Sequence, residues 1–143
     1  MKKYNLFLEK TEDYKVKVLC NEVPKAVEVF RDLLKMEREA QEVFAMISLD
    51  TKKNVIGVFE VSRGAVDKTI VEPAEVFKRA LLSNAHTIIV GHNHPSGDPK
   101  PSIRDIGITD KLRKVGENLG IEIIDHVIIG DGCYYSFLEE GLI

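Results

Sequence analysis

One stretch constrains this chain more than any other: IIVGHNHPSGDPKPSIRDIGITDKL, residues 88–112. An apolar run reads as a buried strand and ends on two histidines one residue apart, His92 and His94. A loop with three prolines and one glycine follows, so the reversal is punctuated rather than floppy. Ser102 then opens a helix to about Leu119, with Ile106, Thr109, Leu112, Val115 and Leu119 spaced for one buried face and Gly120 just past the end. The fold must therefore bring a strand end and a helix start together, with His92, His94, Ser102 and Asp105 at the junction.

The flanking segments alternate between strand and helix patterns. YKVKVLC (14–20) alternates like a half-buried strand, and NEVPKAVEVFRDLLKM (21–36) is amphipathic, with Asn21 as cap, Pro24 near the first turn and Val27, Phe30, Leu33 and Leu34 at helical spacing. EVFAMISL and NVIGVFEVS are joined by DTKKN and predict an antiparallel hairpin. Arg63 and Gly64 read as the turn after it. Pro73 suits the first turn of the helix PAEVFKRALLSN. IEIIDHVIIG, the turn DGC and YYSFLEEGLI complete the chain as a buried strand, a tight turn and a short last strand. Such alternation defines an α/β class with a mixed sheet flanked by helices.

With 143 residues, one domain is expected over 1–143: an amino-terminal strand and helix at about 14–36 and a metal-site core at about 40–143. No apolar run approaches the roughly 18 residues of a membrane span, and acidic and basic residues interrupt the amino terminus where a signal core would lie. A cytoplasmic protein with no membrane partner is expected. Cys20 and Cys133 read as small core hydrophobes. A net charge of -3 with scattered basic residues lacks the footprint of a nucleic-acid binder, so direct DNA binding is expected to be weak or absent. No oligomeric state is implied.

Two residues apart on an extended chain, His92 and His94 point to one side. Neutral imidazoles so placed suit zinc, and Asp105, in the first turn of the returning helix, offers a third ligand. Three protein ligands leave a position for water, the arrangement of a catalytic zinc, whose water ionises near neutral pH. SIRD also reads as a capping box, Ser102 at the cap and Asp105 in its acidic position; cap and ligand are compatible. Hydrolysis needs a base. Glu60 shares a face with Ile56 and Val58, so it either lies beyond the sheet rim in water or faces the metal site as general acid/base. Ser102 is a candidate donor to the oxyanion. His126 reads as a core pair with Asp125 or as a support to a ligand, and His86 as an exposed charge after a helix end. The HxE and PCxxC elements of zinc deaminases are absent, and the length is too short for a (β/α)8 barrel.

Glu60 followed by HNHPSGDPKPSIRD resembles the JAMM motif of the MPN (JAB) metallopeptidases. The whole HNHPSGDPKPS loop, EVSRGAVD, PAEVFKRAL, IEIIDHVIIGDG and SFLEEGLI are similar to the RadC-like members, over about Pro24 to the carboxyl terminus. The resemblance implies a cytidine-deaminase-like three-layer architecture, zinc on His92, His94 and Asp105, Glu60 as general acid/base and Ser102 as stabiliser of the intermediate. It implies a zinc-dependent metallohydrolase cleaving peptide or isopeptide bonds in a substrate protein through a zinc-bound water. The alternative is a DNA-repair-associated accessory or scaffold module with a structural metal. Longer members carry a helix-hairpin-helix-like amino-terminal region that these 143 residues are not expected to include, and where many members read Pro-Arg-Glu the sequence here is Pro73-Ala74-Glu75.

Overall fold

The predicted hairpin forms around Asp50, whose carboxylate accepts hydrogen bonds from the backbone N–H groups of Lys52 and Asn54 and from the Asn54 amide. Local acceptors of this kind close a turn without help from the rest of the fold. It joins β1 (Glu42–Leu49) to β2 (Val55–Gly64), paired antiparallel. The computed structural model describes residues 1–13, 17–64 and 71–143. Strands β3 (Thr87–Asn93), β4 (Glu122–Ile129) and β5 (Tyr134–Ser136) complete one mixed sheet in the order β2-β1-β3-β4-β5. β3 runs antiparallel to β1 and parallel to β4, and β5 closes antiparallel on β4.

Among the described residues three α-helices cover the sheet: α1 (Val23–Glu28), α2 (Pro73–Leu82) and α3 (Ile103–Leu119), the last crossing between β3 and β4. β1 and β3 are buried at almost every position, because both faces are covered; a doubly covered strand needs a continuous apolar run rather than alternation. On one face Val27, Phe30 and Met36 pack with Ala45, Ile47, Ile89 and Val127. On the other, Val76, Phe77, Ala80 and Leu112 pack with Phe44, Met46, Ile88 and Val90. The Phe30 ring lies so close over Gly91 that a Cβ there would stand 2.7 Å from Cε2. This explains the glycine just before His92.

Several local expectations are corrected. Glu22, not Asn21, holds the N-cap position of the first helix, without a side-chain capping bond, and the helix widens after Glu28 into a π-helical segment, Val29–Leu33. Tyr14–Val16 of the predicted first strand lie outside the described residues, and Leu19 makes only an isolated antiparallel bridge to Asn54. Arg63 and Gly64 end β2 instead of forming a turn, since Glu42 and Val43 pair with them. The buried line of α3 is Asp105, Thr109, Leu112 and Gly116, while Ile106 and Leu119 are 39% and 45% exposed. Cys20 is buried as expected, but Cys133 is exposed, because it lies in the β4–β5 turn, where its carbonyl accepts from Gly130 N. His86 is exposed, as expected. Among the described residues no helix is long and apolar enough to cross a membrane.

Candidate metal centre

The end of β3 and the start of α3 meet as the sequence implies. Beyond His94 the chain turns at once: Gly97 N donates to the His94 carbonyl at 2.9 Å, with Gly97 in the left-handed region, φ 85. Asp131 N donates to the Gly97 carbonyl at 3.0 Å, tying this loop to the β4–β5 turn. Ser102 then caps α3. Its Oγ accepts from Asp105 N at 3.1 Å and donates to Asp105 Oδ2 at 2.8 Å, and its own N–H reaches the same oxygen at 2.7 Å. The capping box is complete, and by holding the Asp105 carboxylate it aims that group at the histidines.

Donor atoms of three side chains face one another, Asp105 with both of its carboxylate oxygens. His92 Nε2 and His94 Nε2 are 3.0 Å apart, His92 Nε2 and Asp105 Oδ1 3.2 Å, and His94 Nε2 and Asp105 Oδ2 3.4 Å. Donors about 2.0–2.1 Å from a tetrahedral centre stand about 3.3–3.4 Å from each other, so the cluster has the dimensions of three corners of a zinc site. The ring orientations agree. His94 Nδ1 lies 2.7 Å from the Asp98 carbonyl; a carbonyl only accepts, so Nδ1 carries the proton and Nε2 presents its lone pair. His92 is 1% exposed and its ring stacks on Phe44 with centroids 6.0 Å apart. Burial alone would raise the Asp105 pKa, but the rings of His92 and His94, which donate to the carboxylate when their Nε2 atoms carry protons, outweigh it and hold the group well below the usual carboxylate range. The hydrogen bond to Asp105 raises His94, against the desolvation of its ring.

Glu60 is not in this cluster. Val58 and Glu60 share a face, but Ile56 does not continue it, because it falls at a register irregularity between the Leu49–Val55 and Ser48–Gly57 pairs; Glu60 pairs with Ala45, on the α1 side of the sheet, whereas His92 pairs with Phe44, on the α2/α3 side. Partners across a ladder share a face and neighbours along a strand do not, so Glu60 points away. Both its oxygens are held at 2.9 Å by Arg63, which also binds Glu39 at 2.6 Å. Two other carboxylates do enter, Glu72 just before α2 and Glu42, the latter two residues before Phe44 and therefore on the His92 face. Glu42 lines a cleft of about 770 Å³ together with His92, His94, Ser102 and Asp105. Burial raises its pKa and the Asp105 charge adds to the effect, while His92, His94 and Arg104 act in the opposite sense. The sequence signal for Glu42 was an acidic residue opening the alternate line Glu42, Phe44, Met46 on a buried strand.

His126 packs against His92 rather than pairing with the Asp125 side chain. Its ring is fully buried and lies 2.8 Å from His92 Nδ1, and Asp125 receives only the His126 backbone N–H. Asp125 instead accepts from Ser136 Oγ and Leu138 N, pinning the carboxyl-terminal turn. Adjacent strand residues face opposite ways, so the two side chains cannot pair.

A mixed α/β sheet that presents two histidines and an aspartate at a strand-to-helix junction, beside a cleft, has the form of a JAB-type domain with a group that could hold a metal ion. The residues 21–142 match the RadC-like JAB domain, and the chain belongs to that family. Among similar proteins, a UPF0758 protein of Methanosarcina mazei is 48% identical over 109 residues, 76% of this chain and 48% of the relative. One of Thermotoga maritima is 44% identical over 116 residues, 81% and 52% of the two chains. One of Clostridium kluyveri is 42% identical over 132 residues, 92% and 55%. The chain thus spans about half the length of the curated relatives it matches.

Proposed function

We propose that this domain is a zinc-dependent hydrolase of peptide or isopeptide bonds, with His92, His94 and Asp105 as ligands and Glu42, in place of Glu60, as the proton-transferring carboxylate. The observation that carries the reading is the pairing of an open three-donor cluster with a half-buried carboxylate in the same cleft. Bound there, zinc supplies Lewis acidity toward a carbonyl oxygen and lowers the pKa of a water to about 7. Glu42 is suited to take a proton and return it to a leaving amine, because burial moves its pKa upward from the ordinary carboxylate value toward the working pH. Phe44, Val71 and Ile108 give the cleft apolar walls, and Arg104 and Lys111 add positive charge from α3.

Ser102 reaches the cleft through a hydroxyl now spent on Asp105 Oδ2. Rotated from that oxygen, it becomes a donor to the oxyanion of a tetrahedral intermediate. The test is metal content measured beside hydrolysis of a panel of peptide and isopeptide substrates. About one zinc per chain with cleavage of at least one substrate class is expected; metal-free protein after zinc-replete purification refutes the reading.

A further inference from the structure

We infer that Thr109 and His126 form a directed hydrogen-bond relay that sets the tautomer of His92 and so turns its Nε2 lone pair toward the metal position. The inference rests on the ligand set proposed above and adds to it two positioning residues that touch no substrate. Thr109 Oγ1 donates to the Asp105 backbone carbonyl at 2.6 Å. A hydroxyl has a single proton and a carbonyl only accepts, so this bond uses up Thr109 as a donor. The second contact of Thr109 Oγ1, 2.6 Å to His126 Nδ1, then requires the proton on His126 Nδ1.

A neutral imidazole protonated at Nδ1 has an acceptor at Nε2. His126 Nε2 is 2.8 Å from His92 Nδ1, so His92 must donate from Nδ1, and its Nε2 is left bare beside His94 and Asp105. Every direction in the chain follows from its first member. It runs from the backbone of one ligand, Asp105, to the ring of another, His92, and thereby ties the first turn of α3 to β3 and β4. Thr109 is 1% exposed and His126 fully buried. The His126 ring is stacked on Phe137 at 4.8 Å and meets Phe44 edge-on at 5.6 Å, which leaves its two nitrogens as the only polar edge. An ordinary core histidine needs partners; it does not need both ends of its chain to be metal ligands.

Thr109→Val keeps the shape and removes the acceptor, freeing His126 to protonate Nε2, which would confront His92 Nδ1 and push the proton of His92 onto the metal-facing nitrogen. Two readouts test this. Long-range ¹H–¹⁵N correlation on metal-free wild-type protein should show His126 as the Nδ1–H tautomer; an Nε2–H tautomer overturns the relay. Zinc affinity measured by chelator competition should fall about 10–100-fold in Thr109→Val and return to near wild type in Thr109→Ser. A folded Thr109→Val with unchanged affinity, or a Thr109→Ser as weak as Thr109→Val, also overturns it. Failure of the wild-type chain to bind zinc refutes the hydrolase reading instead, while the His126 tautomer still decides whether the relay exists.

Discussion

Exchanging the two candidate carboxylates one at a time separates the sheet's two faces. Glu42→Gln preserves volume and hydrogen-bonding shape but removes the basic oxygen. Glu42 is not among the three clustered donors, so zinc content should stay at about one per chain. Loss of a general base typically costs a factor of about 10² to 10⁴, which is about 2.7–5.4 kcal/mol of transition-state stabilisation. Glu60→Gln removes instead one exposed partner of Arg63, whose second partner Glu39 remains. Exposed pairs of this kind contribute at most about 1 kcal/mol to stability, and hydrolysis should be nearly unaffected. The assay is the steady-state rate on whichever panel substrate is cleaved, with metal content and thermal unfolding measured on the same preparations. A Glu60→Gln enzyme that keeps its zinc but loses turnover, beside an active Glu42→Gln, would refute the assignment of faces.

The other outcomes follow from the ligand set and the charge. His94→Ala should lose most of its zinc by elemental analysis, since it removes one of the three donors. In the metal-free protein the raised pKa of His94, caused first by its hydrogen bond to Asp105, makes that pair stabilising in full below the ordinary histidine value of about 6.5 and lost as pH rises through the folded-state value. Denaturant titrations across this range should show that slope in the wild type and its reduction in Asp105→Asn. Duplex DNA should bind non-specifically, with dissociation constants at or above about 10⁻⁵ M near physiological salt; nanomolar, structure-selective binding in a fluorescence titration would favour the accessory-module alternative.

What the sequence alone determined is what short range decides. Two histidines at i and i+2 on a strand end, a Pro-rich loop too short to wander and a capped helix start bring His92, His94, Ser102 and Asp105 together through local geometry, and the hairpin at Asp50 and the caps at Pro73 and Gly120 are equally local. What only the tertiary structure decided is which side of the sheet each residue faces. Val58 and Glu60 share a face by local alternation, but it is the pairing of Ala45 with Glu60 and of its neighbour Phe44 with His92 that puts Glu60 behind the sheet and Glu42 in the cleft. The same holds for His126, whose partners Thr109 and His92 come from α3 and β3, 17 and 34 residues away. Strand side chains alternate with a period of two, so one residue of slip exchanges the faces, and that parity is set by pairing with other strands rather than by the strand's own sequence.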